Sequence, residues 1–190
     1  MRNLVTAALL SCLLVSVVLA HADNAAAIST PLKLSVSPVT KQFVSVYFAY
    51  AQATEDHGVQ GVKEFTTSDF VFRSPGASSR GKKAYDELST CIDCFSSARL
   101  TAAVRPLTIT GTKAVVLTRE TFSDKINSTS VAATYYWKQT WRMTPQSWKL
   151  ASIETQPAED YDKVQGLTFI TETSAKHNTV KLHEQQSMVK

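Results

Sequence analysis

The chain has 190 residues, of which 20 are Lys or Arg and 16 are Asp or Glu, so that its formal net charge is +4. Hydrophobic residues make up 44% of it, which suits one domain with a packed core and excludes a wholly disordered protein. The charges are scattered rather than massed, which argues against a nucleic-acid partner.

The N-terminus has the pattern of an export signal. Arg2 precedes an apolar run from Leu4 to Leu19, and the run ends in the small-x-small sequence Ala20-His21-Ala22. Because a membrane-spanning helix needs roughly 20 apolar residues, this shorter run favours cleavage over a membrane anchor. We therefore expect a signal peptide over residues 1–22, a flexible leader over 23–36, and a secreted or periplasmic chain without a membrane span.

Three helices are predicted in the first half of the mature chain. Ser37 and Pro38 favour a helix start, since a serine hydroxyl caps free N–H groups and proline fits the first helical position. Apolar residues then recur at helical spacing. The predicted elements are, in order, a helix over 37–54, a short helix over 59–65, a strand over 70–73, a turn and polar loop, and a helix from Gly81 to about Phe95.

The second half is predicted to be an antiparallel sheet. Four segments are rich in β-branched and aromatic residues and are separated by short turn signals, as in consecutive hairpins. They cover residues 100–110, 113–123, 131–144 and 147–155. Residues 158–190 turn polar, with an apolar patch at 167–170, and predict an appended strand or a loose tail.

The third of these strands has one aromatic face. Tyr135, Trp137, Gln139, Trp141 and Met143 point the same way, because side chains alternate along a strand. The opposite face is largely polar. The aromatic face is predicted to line a pocket, to pack against the helices or to form a dimer surface, and the alternation does not choose among these.

This order of elements resembles the nuclear transport factor 2-like superfamily, which includes ketosteroid isomerase, scytalone dehydratase and the SnoaL polyketide cyclases. The resemblance covers residues 37–157. It rests on the segment YFAYAQATEDHGVQGVKEFTTSDFVFRSPG, on the helix that Gly81 opens, and on the hairpin TWRMTPQSWKLASIE. It implies a cone-shaped α+β fold, with three N-terminal helices packed on a curved, mainly antiparallel sheet. It makes residues 37–157 a SnoaL-like domain and residues 158–190 a polar C-terminal extension.

The sequence departs from this resemblance at the site that it implies. Ketosteroid isomerases carry a general-base aspartate directly before a proline at the end of the first strand, where this chain has Ser74 before Pro75. A serine without a neighbouring base cannot take up a proton near neutral pH. Their oxyanion tyrosine corresponds to Tyr50 and their second oxyanion acid to Gln139. The resemblance therefore implies hydrogen bonding to a ligand without isomerase-type acids.

The leading hypothesis is an exported protein that binds a small, mostly apolar ligand in the cone pocket. Its ligand-binding residues are expected to be Tyr50, Ser74, Trp137 and Gln139, since pockets supply partners for buried polar groups.

Two other hypotheses stay open. One is a SnoaL- or dehydratase-like enzyme in which Asp69, Glu120 or Glu154 supplies the acid; Arg119 and Glu120 are neighbours on a strand, so only one of them faces the pocket. The other is an interaction module that forms a homodimer through the outer face of the sheet.

Three further features concern chemistry outside the pocket. Cys91 and Cys94 remain after export and are expected to form a local disulfide or to pack as two thiols. Asn127-Ser128-Thr129 is a glycosylation sequon if the host is eukaryotic. His57 has no second histidine or cysteine near it in sequence, so no metal site is expected, and we expect no cofactor either.

Overall fold

The computed structural model describes residues 36–93, 99–126, 129–164, 166–172 and 179–185. The expected signal peptide, Cys94 and Asn127 lie outside the described residues, as does all but the last residue of the leader. The elements are α1 (Pro38–His57), α2 (Val59–Glu64), β1 (Thr66–Ser74), β2 (Ala77–Arg80), α3 (Gly81–Ile92), β3 (Arg99–Ile109), β4 (Lys113–Ile126), β5 (Thr129–Met143), β6 (Trp148–Thr155), α4 (Ala158–Lys163), β7 (Gly166–Glu172) and β8 (Thr179–Gln185).

Helix α1 begins where the sequence predicts. The Thr40 backbone N–H donates to Ser37 Oγ at 3.1 Å, and Pro38 fills the first helical position, where no N–H is needed. The helix ends at His57, about one turn beyond the predicted end. Gly58 closes it at φ 55°, a conformation that favours glycine.

The polar loop predicted after the first strand is instead a short edge strand, β2. Pro75 and Gly76 form the turn between β1 and β2, with Gly76 at φ 74°. Ser79 lies buried, and its hydroxyl donates to Glu87 of α3 at 2.5 Å. This contact ties the hairpin to the third helix.

The strands form one sheet in the order β2-β1-β6-β5-β4-β3-β7-β8. In the described part, β1 and β6 run parallel and every other neighbouring pair runs antiparallel. The antiparallel meander predicted for β3 to β6 is confirmed. The three predicted helices pack on one face of the sheet, which we call the inner face, so the predicted α+β fold class is confirmed.

The C-terminal extension adds to both an edge and a face of the sheet. Strand β7 pairs with β3 and carries β8 beside it. Helix α4 lies over the outer face, where Tyr161 is buried against Ala103 and Leu117. The Arg105 guanidinium stacks over the Tyr161 ring at 4.1 Å and donates to the Tyr161 carbonyl at 2.6 Å. The extension thus includes a helix that the sequence did not predict.

The main core lies between the helices and the inner face. Trp137, Trp141 and Trp148 are all buried there, and Phe43 of α1 contacts Trp141 and Trp148 edge to face. The aromatic face predicted for β5 is confirmed as an inward face. No helix among the described residues has the length and apolar character needed to cross a membrane.

Candidate functional site

A buried carboxyl group lies at the centre of the inner face. Glu120 projects from the middle of β4 and is 1% exposed. Its strand neighbours are Ala102 on β3 and Tyr135 on β5, and Ala102 leaves room because its side chain is small. The neighbouring Arg119 is exposed on the outer face and contacts the Tyr161 ring. Of the two adjacent charged residues, the acid is therefore the one that points inward.

Three neutral side chains donate hydrogen bonds to one oxygen of this carboxylate. Tyr47 Oη donates to Glu120 Oε1 at 2.8 Å, and Gln139 Nε2 donates to the same atom at 2.9 Å. Thr118 Oγ1 makes a longer bond of 3.4 Å. Within the described part of the chain, no Lys, Arg or His nitrogen lies within 4.0 Å of the Glu120 carboxylate. The charge is therefore held by dipoles rather than by a cation.

Gln139 links this carboxylate to two further aromatic residues. Its Oε1 accepts a hydrogen bond from Trp141 Nε1 at 3.1 Å, which fixes which end of the amide faces Glu120. Its Nε2 also lies 3.5 Å from the Tyr50 hydroxyl. We call these six side chains the Glu120 cluster. Its members are Tyr47, Tyr50, Thr118, Glu120, Gln139 and Trp141.

Burial changes the protonation of the cluster. Desolvation raises the pKa of Glu120 from 4.5 to about 6, while hydrogen bonds from Tyr47, Gln139, Trp137 and Thr118 act in the opposite direction. Desolvation, followed by the charge of Glu120, raises the pKa of Tyr47 and of Tyr50 well above the usual value. Neutral pH is therefore close to the pKa of Glu120, and the cluster holds this carboxylate beside the neutral phenols of Tyr47 and Tyr50.

An aromatic stack borders the cluster. Tyr135, directly opposite Glu120, is half-buried and stacks on Trp137 with ring centroids 5.2 Å apart. Phe122 meets Tyr135 edge to face at 6.1 Å. Tyr135 is thus the more exposed neighbour through which an apolar molecule could approach the acid.

The structure brings together three of the four expected ligand-binding residues. Tyr50, Trp137 and Gln139 are all buried at the inner face around Glu120. Ser74 lies elsewhere, at the turn between β1 and β2. It lines a surface cavity of about 480 Å³ together with Glu154. The ligand-binding role of these residues stays a prediction.

The three alternative acids lie in different places. Asp69 is on the outer side of β1 and pairs with Arg142 at 2.9 Å, where 58% of the Asp69 side chain is exposed. Glu154 pairs with Lys138 at 4.0 Å on the same outer face. Of the three, only Glu120 faces the core. The choice that the sequence leaves open between Arg119 and Glu120 thus falls to the acid, while Ser74 and Gln139 are neutral at the positions that correspond to the isomerase acids.

Three members of the cluster were missed by reasoning from the sequence. In the sequence, Tyr47 is one of several apolar residues at helical spacing, Trp141 is one of several aromatic residues on a strand, and Thr118 carries no signal of its own. Tyr47 and Tyr50 lie three residues apart, so they share a face of α1, and that spacing was a usable signal. Nothing in the sequence of β4 alone marks Thr118 as a donor to Glu120.

Outside the cluster, His57 ends α1 and is exposed, as expected of a solvated helix terminus. Cys91 is half-buried on α3, but its expected partner Cys94 lies outside the described residues, so the disulfide stays a prediction. In the described ranges, no three His, Cys, Asp or Glu side chains are grouped as metal ligands would be.

The comparisons with known proteins find structural similarity alone. No family model matches the chain, and no curated protein does. The chain is similar to an NTF-2-like protein of unknown function from Shewanella oneidensis, at 13% identity and a TM-score of 0.48, over 62% of this chain and 98% of that one. An NTF2-like protein with a cystatin-like fold from Novosphingobium aromaticivorans matches at 14% identity and a TM-score of 0.46, over 66% and 86%. The structure of LinA matches at 10% identity and a TM-score of 0.46, over 73% and 92%. Similarity at this level concerns the course of the backbone and not the chemistry of a site.

Proposed function

We propose that the chain binds a small, mostly apolar molecule at the inner face of the sheet and moves a proton on it, with Glu120 as the proton acceptor. The observation that carries this proposal is a fully buried carboxylate whose hydrogen-bond donors, among the residues that the structure describes, are all neutral. Burying a charge without a cation costs stability, so such a group is a candidate for chemistry. Export is part of the proposal on the sequence of residues 1–22 alone.

The cluster supports removal of a proton from carbon next to a carbonyl group. Glu120 would take the C–H proton, and the electron pair left behind would form a C=C bond as the negative charge moves to the carbonyl oxygen. We assign the Tyr50 hydroxyl as the donor to that oxygen, since this neutral phenol already lies beside the Gln139 amide. Return of the proton to another carbon would give an isomerase, and loss of a leaving group would give a dehydratase. A base with a pKa near neutrality suits both reactions.

Binding without chemistry is the second candidate. Its supporting observation is that Glu120 is 1% exposed and that its Oε1 already accepts hydrogen bonds from protein side chains. A ligand would then displace Tyr135 and lie on the aromatic stack, with Gln139 and Tyr50 as its polar contacts. In this case the cluster would fix the orientation of the ligand and leave every C–H bond intact.

Deuterium exchange into a small apolar ketone distinguishes the two candidates. The probe is 2-tetralone in D₂O, and NMR follows the loss of its α-proton signals in the presence of the full chain. Glu120→Gln removes the base while keeping the side-chain volume. The matched control is Glu154→Gln, because Glu154 is a glutamate on the outer face of β6, a strand of the same sheet. Quenching of Trp137 and Trp141 fluorescence reports binding of the same ketone.

Proton transfer predicts exchange that Glu120→Gln slows by about 100-fold and that Glu154→Gln leaves unchanged. Fluorescence quenching without exchange above the buffer rate would reject catalysis on this ketone class in favour of the binding protein. Equal exchange in the wild-type chain and in Glu120→Gln would reject the assignment of Glu120 as the base.

A further inference from the structure

The outer face of the sheet carries a polar cavity that is separate from the Glu120 cluster and is lined by different kinds of side chain. It has a volume of about 280 Å³ and lies across β2, β1, β6 and β5. We call it the arginine groove. Its polar lining comes from Arg73, Arg80, Arg142, Asp69, Thr140 and Ser152.

The strand register explains why these residues converge. Arg80 of β2 is opposite Val71 of β1, and Val71 is in turn opposite Ser152 of β6. Ser152 is opposite Thr140 of β5, so these four positions form one row across four strands. Arg80 lies at one end of the row, and its long side chain lines the same cavity as the hydroxyls of Ser152 and Thr140 on the two strands at the other end, with neighbouring strands roughly 4.8 Å apart.

Two further arginines flank this row. Arg73 lies two residues beyond Val71 on β1, and Arg142 lies two residues beyond Thr140 on β5. Because β1 and β5 run in opposite directions, the two residues lie on opposite sides of the row. The groove is thus surrounded by guanidinium groups on three sides.

The charges in the groove are incompletely paired. Arg142 donates to Asp69 Oδ2 at 2.9 Å, and these two charges offset each other. Arg73 and Arg80 have no carboxylate oxygen within 4.0 Å among the residues that the structure describes. Two positive charges therefore face a cavity whose floor supplies two hydroxyl donors. Planar guanidinium groups with nearby hydroxyls match an oxyanion, which accepts several hydrogen bonds at once.

We propose that the arginine groove binds a phosphate- or sulfate-type group carried by a small molecule. Arg73 and Arg80 supply the charge, Thr140 and Ser152 supply hydroxyl donors, and Asp69 competes with the anion for Arg142. The proposal does not depend on proton transfer at Glu120, because the groove lies on the opposite face of the sheet. Either proposal can fail without the other.

The test is a titration of the full chain with sodium phosphate, and separately with sodium sulfate, at constant ionic strength against sodium chloride. Chemical shifts of backbone amides in β1, β2 and β5 report binding. The test variant is the double substitution Arg73→Gln and Arg80→Gln. Its control is Lys41→Gln with Lys163→Gln, which removes the same charge from two exposed helical positions.

Saturable shifts are expected with both anions and not with chloride. The arginine double variant should weaken the affinity by about tenfold or more, and the lysine double variant should change it less than twofold. Asp69→Asn should strengthen binding several-fold, because it releases Arg142, whereas Asp56→Asn at the end of α1 should not. Shifts that grow without saturation, or an equal loss of affinity in both double variants, would overturn the proposal.

Discussion

The charge of Glu120 should make the folded chain less stable as the pH rises. Below pH 4.5 the carboxyl is protonated in both the folded and the unfolded chain and has no effect on the free energy of unfolding. Just above that pH the Glu120 carboxyl ionises in the unfolded chain but stays protonated in the folded chain. The folded chain therefore binds one more proton than the unfolded chain. The free energy of unfolding therefore falls as the pH rises, until the carboxyl is ionised in the folded chain as well, above its folded-state pKa of about 6.

The size of this effect follows from the raised pKa. A rise from 4.5 to about 6 corresponds to about 2 kcal/mol, since a tenfold change in an equilibrium constant is worth about 1.4 kcal/mol. Glu120→Gln removes the ionisation and keeps an Oε1 acceptor for Tyr47 and Gln139. We therefore expect this variant and the wild-type chain to have similar pH dependence below pH 4.5, with the variant gaining about 2 kcal/mol over the wild type by pH 7.5.

The assay is urea unfolding followed by the fluorescence of the three buried tryptophans, at half-unit steps from pH 4 to pH 8. Taking the difference between variant and wild type at each pH cancels the groups that the two chains share. Glu154→Gln gives the size of the effect for a carboxylate on the outer face, and the pH-dependent gain should be larger in Glu120→Gln. A flat difference, or one in which the wild-type chain gains stability as the pH rises, would refute the reasoning.

Three other substitutions test the packing and the cluster. Tyr47→Phe removes a donor that lowers the pKa of Glu120, so a ¹³C NMR titration of the Glu120 carboxyl should give a pKa above that of the wild-type chain; a lower pKa would contradict the hydrogen bond at 2.8 Å. Gly61→Ala places a Cβ against the Ala53 carbonyl oxygen, so the free energy of unfolding should fall by about 2 kcal/mol, whereas Gly111→Ala, with open space around it, should change it by under about 1 kcal/mol. Tyr161→Ala should lower the free energy of unfolding by about 3 kcal/mol, because it removes the side chain that packs α4 on the outer face. Tyr161→Phe loses only the hydrogen bond from the Tyr161 hydroxyl to the Ala103 carbonyl and should cost less. Equal losses in the two variants would contradict the packing account.

The parts of the fold that follow strict periodicity could be predicted from the sequence. The side chains of β5 alternate because one face packs on the helices and the other does not, so Trp137, Gln139 and Trp141 were correctly assigned to one face. The start of α1 was also predictable, since the cap and the proline act locally. In both cases the signal lies within a few residues.

The inward position of Glu120 could not be predicted in the same way. Val116, Leu117 and Thr118 are buried in succession, because helix α4 covers the outer face over Leu117 while the helices cover the inner face. A strand that is covered on both faces loses its alternation, so the pattern of β4 does not choose between Arg119 and Glu120. Leu117 is covered by helix α4, which lies about 40 residues further along the chain, and local sequence patterns do not report such contacts.

Strand β2 was missed for a different reason. Its four residues, ASSR, include no β-branched or aromatic side chain. Strand pairing with β1 and the turn at Pro75 and Gly76 place it in the sheet. The arginine groove depends on that pairing, since it sets Arg80 opposite Val71, two residues before Arg73 on β1. Its existence could therefore not be foreseen from the sequence.

The pH profile of ketone exchange tests the central claim most directly, because it joins the buried acid to the chemistry. With 2-tetralone and the full chain, the exchange rate should rise with pH as Glu120 ionises and reach half its maximum near pH 6. At the plateau above that pH, Glu120→Gln should slow the exchange by about 100-fold. A rate that reaches half its maximum near pH 4.5, or one that is equal in the wild-type chain and in Glu120→Gln, would contradict the claim that Glu120 is the proton acceptor.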